Sequence, residues 1–298
     1  MGQRQLQAAF VWNWNSLVGS VQGVLQALDL PHDAAWVSGA LGEATRTLPI
    51  AVIDDTPAFA RTGYQPRALR PLAEPLASLG LRGRLIDRDL THQRRPWLLD
   101  RSIRNRIDRG FPVVAYGAGV ADFALIAGYD GATKRYRVSG PLTEQVGDQL
   151  AYDRLPNAGA AWLALFLPER AQPNREVGTR LALGWTLATD STLVLDRWRA
   201  LMEGEAPIDA SGHAYWAAAL NAARGEASRF WREAGRESAA EAYRRVVIAM
   251  SRFCTLFPYP AGGNVRGPAE RRVGAQMLAE VAAAEREALD ILARVEAH

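Results

Sequence analysis

The stretch "DRGFPVVAYGAGVADFALIAGYDG" at residues 108–131 decides the fold class of this chain. It contains two apolar runs, at 112–116 and 123–129, separated by a turn of small residues. Short apolar runs bounded by turn formers predict buried β-strands. Further strands are predicted at 135–139 and 162–167, so this region is expected to form an antiparallel sheet.

Helical patterns surround these strands. Residues 15–30 place leucines and valines on one stripe, and Asn15 or Ser16 is able to cap the helix start. A helix over 95–110 begins beside a proline and ends at a glycine. The remaining predicted elements before residue 100 are a strand at 48–55, a short helix at 65–80 and a strand at 81–87.

The last third of the chain is predicted to be helical. Residues 168–178 are polar and contain proline, which is typical of a linker. Apolar residues then recur at helical spacing over 238–257 and 269–297. We therefore predict an α+β domain at 1–170 with an antiparallel sheet, followed by an all-α domain at 171–298.

Composition excludes several classes of function. The net charge is +3, and Lys134 is the only lysine. Without a dense basic stripe, no nucleic-acid partner is expected. No apolar run reaches the length of a membrane span and no signal peptide is evident, so we expect a cytoplasmic protein and no membrane partner. Cys254 is the only cysteine, which excludes an internal disulfide.

No cofactor or metal motif is complete. The stretch "GAGVAD" at 117–122 lacks the third glycine of a dinucleotide fingerprint and leads into a strand rather than a helix. The four histidines are far apart in the sequence, without metal-ligand spacing, at positions 32, 92, 213 and 298. We expect neither a cofactor nor a metal.

A family resemblance is carried by "IRNRIDRGFPVVAYG" at 103–117 and "DFALIAGYDGATKRYRVSGP" at 122–141. These segments resemble the bacteriocin-processing peptidase-like proteins of the papain-like fold, and the N-terminal domain of the butirosin-biosynthesis acyltransferase family. Residues 15–48 look like the nucleophile helix of these proteins and the segment behind it, and "TLFPYP" at 255–260 is similar to their helical tail. The resemblance spans most of residues 10–167 and implies a papain-like fold for the first domain.

The chemistry of that family requires a cysteine thiolate at a helix N-terminus, a histidine and a residue that orients the imidazole. The matching helix start here reads "WNS" at 14–16, and Asp122 stands where the family has histidine. The third position falls on "SGP" at 139–141, without the expected acid or amide. An aspartate with an ordinary pKa near ~3.9 is a poor base at neutral pH. We therefore expect no papain-type cysteine chemistry.

Several interpretations of the matching positions stay open. Asp122 is either a strand-start residue at the surface or a cleft residue that binds a cationic or hydroxyl-bearing group, or does acid–base work. Glu43 is either exposed or paired with Asp122, and a dyad of Ser16 with His32 or His92 is a further alternative. The candidate cleft residues are Trp14, Asn15, Ser16, Glu43, Tyr116 and Asp122, with Trp12 and Trp14 as an aromatic wall.

Three functions are consistent with this sequence. We expect first a catalytically degenerate papain-like protein that binds a small molecule or a peptide, in a bacterial biosynthetic or peptide-processing pathway. The second is a hydrolase or acyltransferase with re-purposed acid–base residues, so whether the chain is an enzyme stays open. The third is an oligomeric structural partner that assembles into a homo-oligomer through the helical domain.

Overall fold

The structure is a computed structural model. It describes residues 2–30, 33–45, 72–89, 96–118, 122–141, 143–155, 162–189, 191–205, 208, 210–262 and 267–296. The predicted strand at 48–55 and residues 65–71 of the predicted helix at 65–80 lie outside these residues.

The N-terminal part of the chain mixes strands and helices, and the remainder is helical. Its elements in chain order are β1 Gln3–Gln5, α1 Ser16–Ala27, α2 Ala34–Ala40, α3 Ala73–Ser78, β2 Leu81–Asp89, α4 Pro96–Asp108, β3 Val113–Tyr116, β4 Phe123–Asp130, β5 Arg135–Ser139, α5 Thr143–Val146, β6 Gln149–Ala151, a 3-10 turn Tyr152–Arg154 and β7 Trp162–Arg170. The helices that follow are α6 Arg175–Ala188, α7 Ser191–Glu203, α8 Ala210–Glu233, α9 Glu237–Leu256 and α10 Pro268–Glu296.

The strands form one antiparallel sheet, as the sequence predicts. Its order is β2-β7-β3-β4-β5-β6, and β1 pairs with the end of β4. Strands β3 to β6 follow one another as a meander, whereas β7 returns to pair with β3 on one side and β2 on the other. The predicted strands at 112–116, 123–129, 135–139 and 162–167 are confirmed as β3, β4, β5 and β7.

Both faces of the sheet are covered, which explains why β3 and β4 are apolar at nearly every position. Val113 and Ala115 share a buried core with residues of α4. Val114 and Phe123 face the opposite way, towards Leu17 and other residues of α1. Because side chains alternate between the faces of a strand, a strand covered on both faces is apolar throughout.

The chain before α1 lies along that helix and depends on a glycine. The N–H of Val11 donates to the carbonyl of Gly19 at 3.2 Å. A Cβ atom at Gly19 would lie 2.2 Å from the carbonyl oxygen of Val11 and 2.6 Å from the ring of Phe10. Only glycine therefore allows this backbone to approach the helix so closely.

The predicted linker at 168–178 is wrong at both ends. Strand β7 continues to Arg170, and α6 begins at Arg175. At Pro168 the strand has already left β3 and pairs only with Gly83 of β2. A residue without an N–H is tolerated at such a position, so the proline does not end the strand.

The chain divides into two compact units. Among the described residues, the first unit comprises 2–37 and 72–177, and the second comprises 38–45 and 178–296. The division after residue 177 falls beyond the predicted boundary at 170. The second unit also takes up residues 38–45, which the prediction assigned to the first domain.

The second unit is a helical assembly in which α9 packs against both α8 and α10, and α10 also packs against α7. Its core is aromatic, with Trp198, Phe230, Trp231, Tyr243, Phe253 and Phe257 fully buried. The predicted helices at 238–257 and 269–297 are confirmed as α9 and α10. None of the helices formed by the described residues combines the length and the apolar character needed to cross a membrane.

Candidate functional site

The start of α1 is organised by two asparagines. The Asn15 side chain accepts hydrogen bonds from the N–H groups of Leu17 and Val18, at 3.0 and 3.2 Å. The Asn13 side chain accepts from the N–H of Asn15 at 2.8 Å. Asn15 is thus the N-cap of α1, one of the two roles that the sequence suggested for it. These first-turn amides are consequently occupied.

Ser16 meets Asp122, the residue just before β4. The Ser16 hydroxyl donates a hydrogen bond to Oδ1 of Asp122, although the two residues are 106 positions apart. The N–H of Phe123 donates to the same Oδ1 at 2.9 Å and lies 3.3 Å from Ser16 Oγ. The carbonyl of Asp122 accepts from the N–H of Gly117 at 3.0 Å, so its backbone is fixed as well.

Burial dominates the electrostatics of Asp122. Loss of water raises the pKa of this carboxyl above its ordinary value, and the hydrogen bonds from Ser16 and Phe123 offset only part of that effect. Among the residues that the structure describes, no charged side chain contributes to the pKa shift of Asp122. Within this part of the chain the carboxylate is stabilised by the dipoles of a hydroxyl and an N–H group.

The residues that follow Ser16 and Asp122 in sequence, Leu17 and Phe123, border a small apolar cavity. Its volume is about 10 Å³, and its lining consists of Leu17, Val21, Leu72, Leu76, Leu85, Val114, Phe123 and Phe166. A space of that size holds about one water molecule, and its lining is too apolar to bind one.

An aromatic pair lies on the loop that leads into α1. The rings of Trp12 and Trp14 contact edge to face, with centroids 5.4 Å apart. Trp12 is 68% exposed, the most exposed of the large hydrophobic residues that the structure describes, whereas Trp14 is partly buried. Exposed tryptophan is typical of a surface that binds something.

Tyr116 and Ser139 complete the neighbourhood of β4. Tyr116 ends β3 directly opposite Phe123, and their rings lie 5.2 Å apart. Ser139, at the third position of the family pattern, ends β5 and pairs with Leu125 of β4. Its hydroxyl oxygen accepts from the N–H of Phe10 at 2.9 Å. This serine therefore holds the N-terminal segment in place.

Glu43 belongs to the second unit. It follows α2, its N–H donates to the carbonyl of Ser38 at 2.8 Å, and it is only 8% exposed. The interpretation of Glu43 as an exposed residue is therefore wrong. Its pairing with Asp122 stays a prediction.

His213 and Cys254, the histidine and the cysteine among the described residues, both belong to the second unit. His213 is buried in the second unit, where its Nδ1 accepts from the indole N–H of Trp198 at 2.8 Å. His32 and His92, proposed as dyad partners of Ser16, lie outside the described residues. Cys254 is on α9, and burial raises the pKa of its thiol to about 11. A thiol with such a pKa is a weak nucleophile at neutral pH.

No group of three or more histidine, cysteine, aspartate or glutamate side chains able to hold a metal occurs among the described residues. No protein-family model matches the sequence, and no curated protein matches it significantly. Of the six predicted cleft residues, the structure brings Ser16 and Asp122 into contact, with Asn15 as the cap beside them and Tyr116 beside Phe123.

Proposed function

We propose that the first unit is a papain-like domain that has lost cysteine-based catalysis and binds a small molecule or a peptide. We place it in a bacterial biosynthetic or peptide-processing pathway on the family resemblance alone. Two features support the fold assignment: the antiparallel sheet, and helix α1, which packs against β3 and β4. The resemblance puts the catalytic cysteine at the start of this helix and the histidine at the start of β4.

The observation that carries the proposal is the hydrogen bond from Ser16 to Asp122. It joins the two residues that the family resemblance matches to the nucleophile and the base of a papain-type enzyme. With an alcohol in place of the thiolate and a carboxyl group in place of the imidazole, neither partner does the work of the residue it replaces. What is left is a fixed hydroxyl and a carboxylate at the edge of a largely apolar site, which suits recognition.

One observation favours the alternative of an enzyme with re-purposed residues. Burial raises the pKa of Asp122, and a carboxylate with a higher pKa is a stronger base. The hydrogen bond from Ser16 is also the geometry in which Asp122 would accept the hydroxyl proton during attack on an acyl group. A serine hydrolase or acyltransferase that works without histidine is therefore the second candidate.

Ligand screening combined with an activity assay distinguishes the binding protein from the enzyme. Wild type, Asp122→Asn and Ser16→Ala are screened by ligand-observed NMR against amines, polyols, short peptides and acyl esters, and the esters are also followed for turnover. Asp153→Asn serves as the matched control, because Asp153 is an exposed aspartate of the same unit. Binding that disappears only in the two site variants, without ester turnover, is the expected result.

Two outcomes would contradict this proposal. Ester or amide turnover that Asp122→Asn and Ser16→Ala abolish, while both variants stay folded, would identify an enzyme. Absence of any ligand whose binding depends on Ser16 or Asp122 would show that the site does not recognise these ligands.

A further inference from the structure

Asp122 is a partly buried carboxylate without a cation beside it in the part of the chain that the structure describes. No arginine or lysine there forms an ion pair with it, and its hydrogen bonds from Ser16 and Phe123 both reach Oδ1. Oδ2 thus has no hydrogen-bond partner among the residues that the structure describes. Buried carboxylates normally have a cation beside them, because ionisation away from water is costly.

The same chain supplies such cations at other carboxylates. Asp100 accepts an ion pair from Arg104 at 2.6 Å, and its other oxygen accepts from the hydroxyl of Tyr136 at 2.8 Å. Glu285 is held by Arg224 at 2.8 Å. Arginine and tyrosine side chains therefore bind these carboxylates within the fold, whereas Oδ2 of Asp122 has no such partner among the residues that the structure describes.

The start of α1 favours the ionised form of Asp122 and disfavours an anionic ligand. The positive end of a helix stabilises a nearby carboxylate. Its first free amides, which would otherwise bind an anion, are already taken by the side chain of Asn15. A positively charged group therefore suits the Asp122 carboxylate better than an anion does, as far as the described residues show.

The aromatic pair supplies a second, independent indication. Trp12 and Trp14 lie two to four residues before Ser16, on the loop that enters α1, and Trp12 presents most of its surface to solvent. The face of an indole ring attracts alkylated ammonium and guanidinium groups more strongly than other aromatic faces do. A carboxylate with an exposed indole on the adjoining loop suits an organic cation.

We propose that the Ser16–Asp122 site takes the ammonium or guanidinium group of its ligand, with Asp122 as the counter-charge and Trp12 as the aromatic contact. This inference rests on the proposed function, because it names the chemical class of the ligand at the same site. Such a cationic group belongs either to a small organic amine or to a basic side chain of a peptide.

Binding of defined cations to the full-length chain tests the inference. The probes are choline with its neutral isostere 3,3-dimethyl-1-butanol, agmatine, and a capped tripeptide with arginine or glutamine at its centre, each titrated by NMR or calorimetry. We expect choline or agmatine to bind in preference to the neutral isostere. Preference for the arginine tripeptide over both small amines would identify a peptide as the source of the cation.

Substitutions at the two contacts sharpen the test. Asp122→Asn keeps the shape of the side chain and is expected to weaken cation binding by about 30-fold or more, since it removes one partner of a desolvated charge pair. Trp12→Leu is expected to weaken it by about two- to fivefold, and Trp12→Phe to retain most of the affinity because an aromatic face remains. Asp153→Asn, checked for folding by circular dichroism like the others, should bind as wild type does.

Equal binding of choline and its neutral isostere, or cation binding unchanged in Asp122→Asn, would overturn the inference. If no cation binds but polyols or neutral peptides do, and their binding depends on Ser16 or Asp122, the ligand class is wrong while the proposed function stands. If neither cations nor neutral ligands show such dependence, both are wrong.

Discussion

Two acidic residues, Glu285 and Asp122, are removed from water in different ways. Glu285, on α10 of the second unit, is 1% exposed and bound at both oxygens by Arg224, at 2.8 and 2.9 Å. The hydroxyl of Ser191 also donates to it at 2.9 Å. Asp122, in the first unit, has a hydroxyl and one backbone N–H, and no cation among the described residues.

The difference separates a structural carboxylate from one that is available for recognition. The guanidinium of Arg224 also donates to the carbonyl of Ala44 at 2.9 Å, so its network joins α8 and α10 to the segment after α2. Both oxygens of Glu285 are hydrogen-bonded within this network, so the pair holds the fold together. At Asp122 the described residues fix the carboxylate in place without supplying a cation, as expected for a residue whose partner is a ligand.

The largest effect is expected from breaking the structural pair. Arg224→Met leaves the Glu285 carboxylate buried without a cation and should lower the free energy of unfolding by about 3–5 kcal/mol. The double variant Arg224→Met/Glu285→Leu should recover much of that loss, because no unpaired charge remains. Urea denaturation measures both. A double variant no more stable than the single one would show that the cost lies in lost packing rather than in the orphaned charge.

Two glycine-to-alanine substitutions, one in each unit, are expected to change the free energy of unfolding by smaller amounts and in opposite directions. Gly19→Ala forces its Cβ against the Val11 backbone and should destabilise the chain by about 1–3 kcal/mol. At Gly184 of α6 no atom lies within 4 Å of the new Cβ. Gly184→Ala should therefore stabilise the chain by about 0.5–1 kcal/mol through helix propensity.

Thermal or urea denaturation of both variants provides the comparison. Similar stability changes for Gly19→Ala and Gly184→Ala would refute the close packing of the N-terminal segment on α1. Destabilisation by Gly19→Ala alone would support it, and should be accompanied by weaker cation binding, because the same segment leads to Trp12.

The smallest effect concerns the pH dependence of stability. An unfolded aspartate titrates near ~3.9, and burial raises the pKa of Asp122 in the folded state. Between the two pKa values the folded chain holds a proton that the unfolded chain has released. The contribution of Asp122 to the free energy of unfolding is therefore fully present below about pH 3.9. It is lost as the pH rises through the folded-state pKa of Asp122.

Asp122→Asn removes the titrating group but keeps an oxygen acceptor and the shape of the side chain. The variant should gain stability relative to wild type as the pH rises from about 4 towards neutrality. The difference between the two unfolding free energies, measured at several pH values, gives the result. A difference that falls with rising pH would mean that the carboxylate is stabilised in the folded chain.

Much of the fold follows from local pattern, and the pairing of distant strands does not. The apolar runs of β3 and β4 and the Asn15 cap are encoded in neighbouring residues, so both could be predicted. The return of β7 to β3 depends on contacts between segments far apart in sequence, and no local signal determines it. The linker prediction around Pro168 fails for the same reason. Whether a strand tolerates a proline depends on which strands pair beside it.

The contacts of the candidate site and of the buried ion pair likewise depend on residues far apart in sequence. The contact of Ser16 with Asp122 was expected only through the family resemblance, because composition and spacing do not link residues 106 positions apart. The Arg224–Glu285 pair was missed, since charges on amphipathic helices are usually solvated. Its one sequence signal is the position of Glu285 on the buried stripe of α10, together with Leu278, Val281, Ala282, Ala288 and Leu292.

The assignment of Ser16 and Asp122 to the cysteine and histidine positions of a papain-like domain is tested most directly by restoring those residues. The pH dependence of iodoacetamide alkylation is measured for Ser16→Cys alone and for Ser16→Cys/Asp122→His. Cys254 contributes little background, because burial raises the pKa of its thiol to about 11. We predict an introduced thiol with a pKa well below the ordinary ~8.5 in the double variant only, where the helix start and an imidazole act on it together. The same thiol pKa in both variants would contradict the assignment.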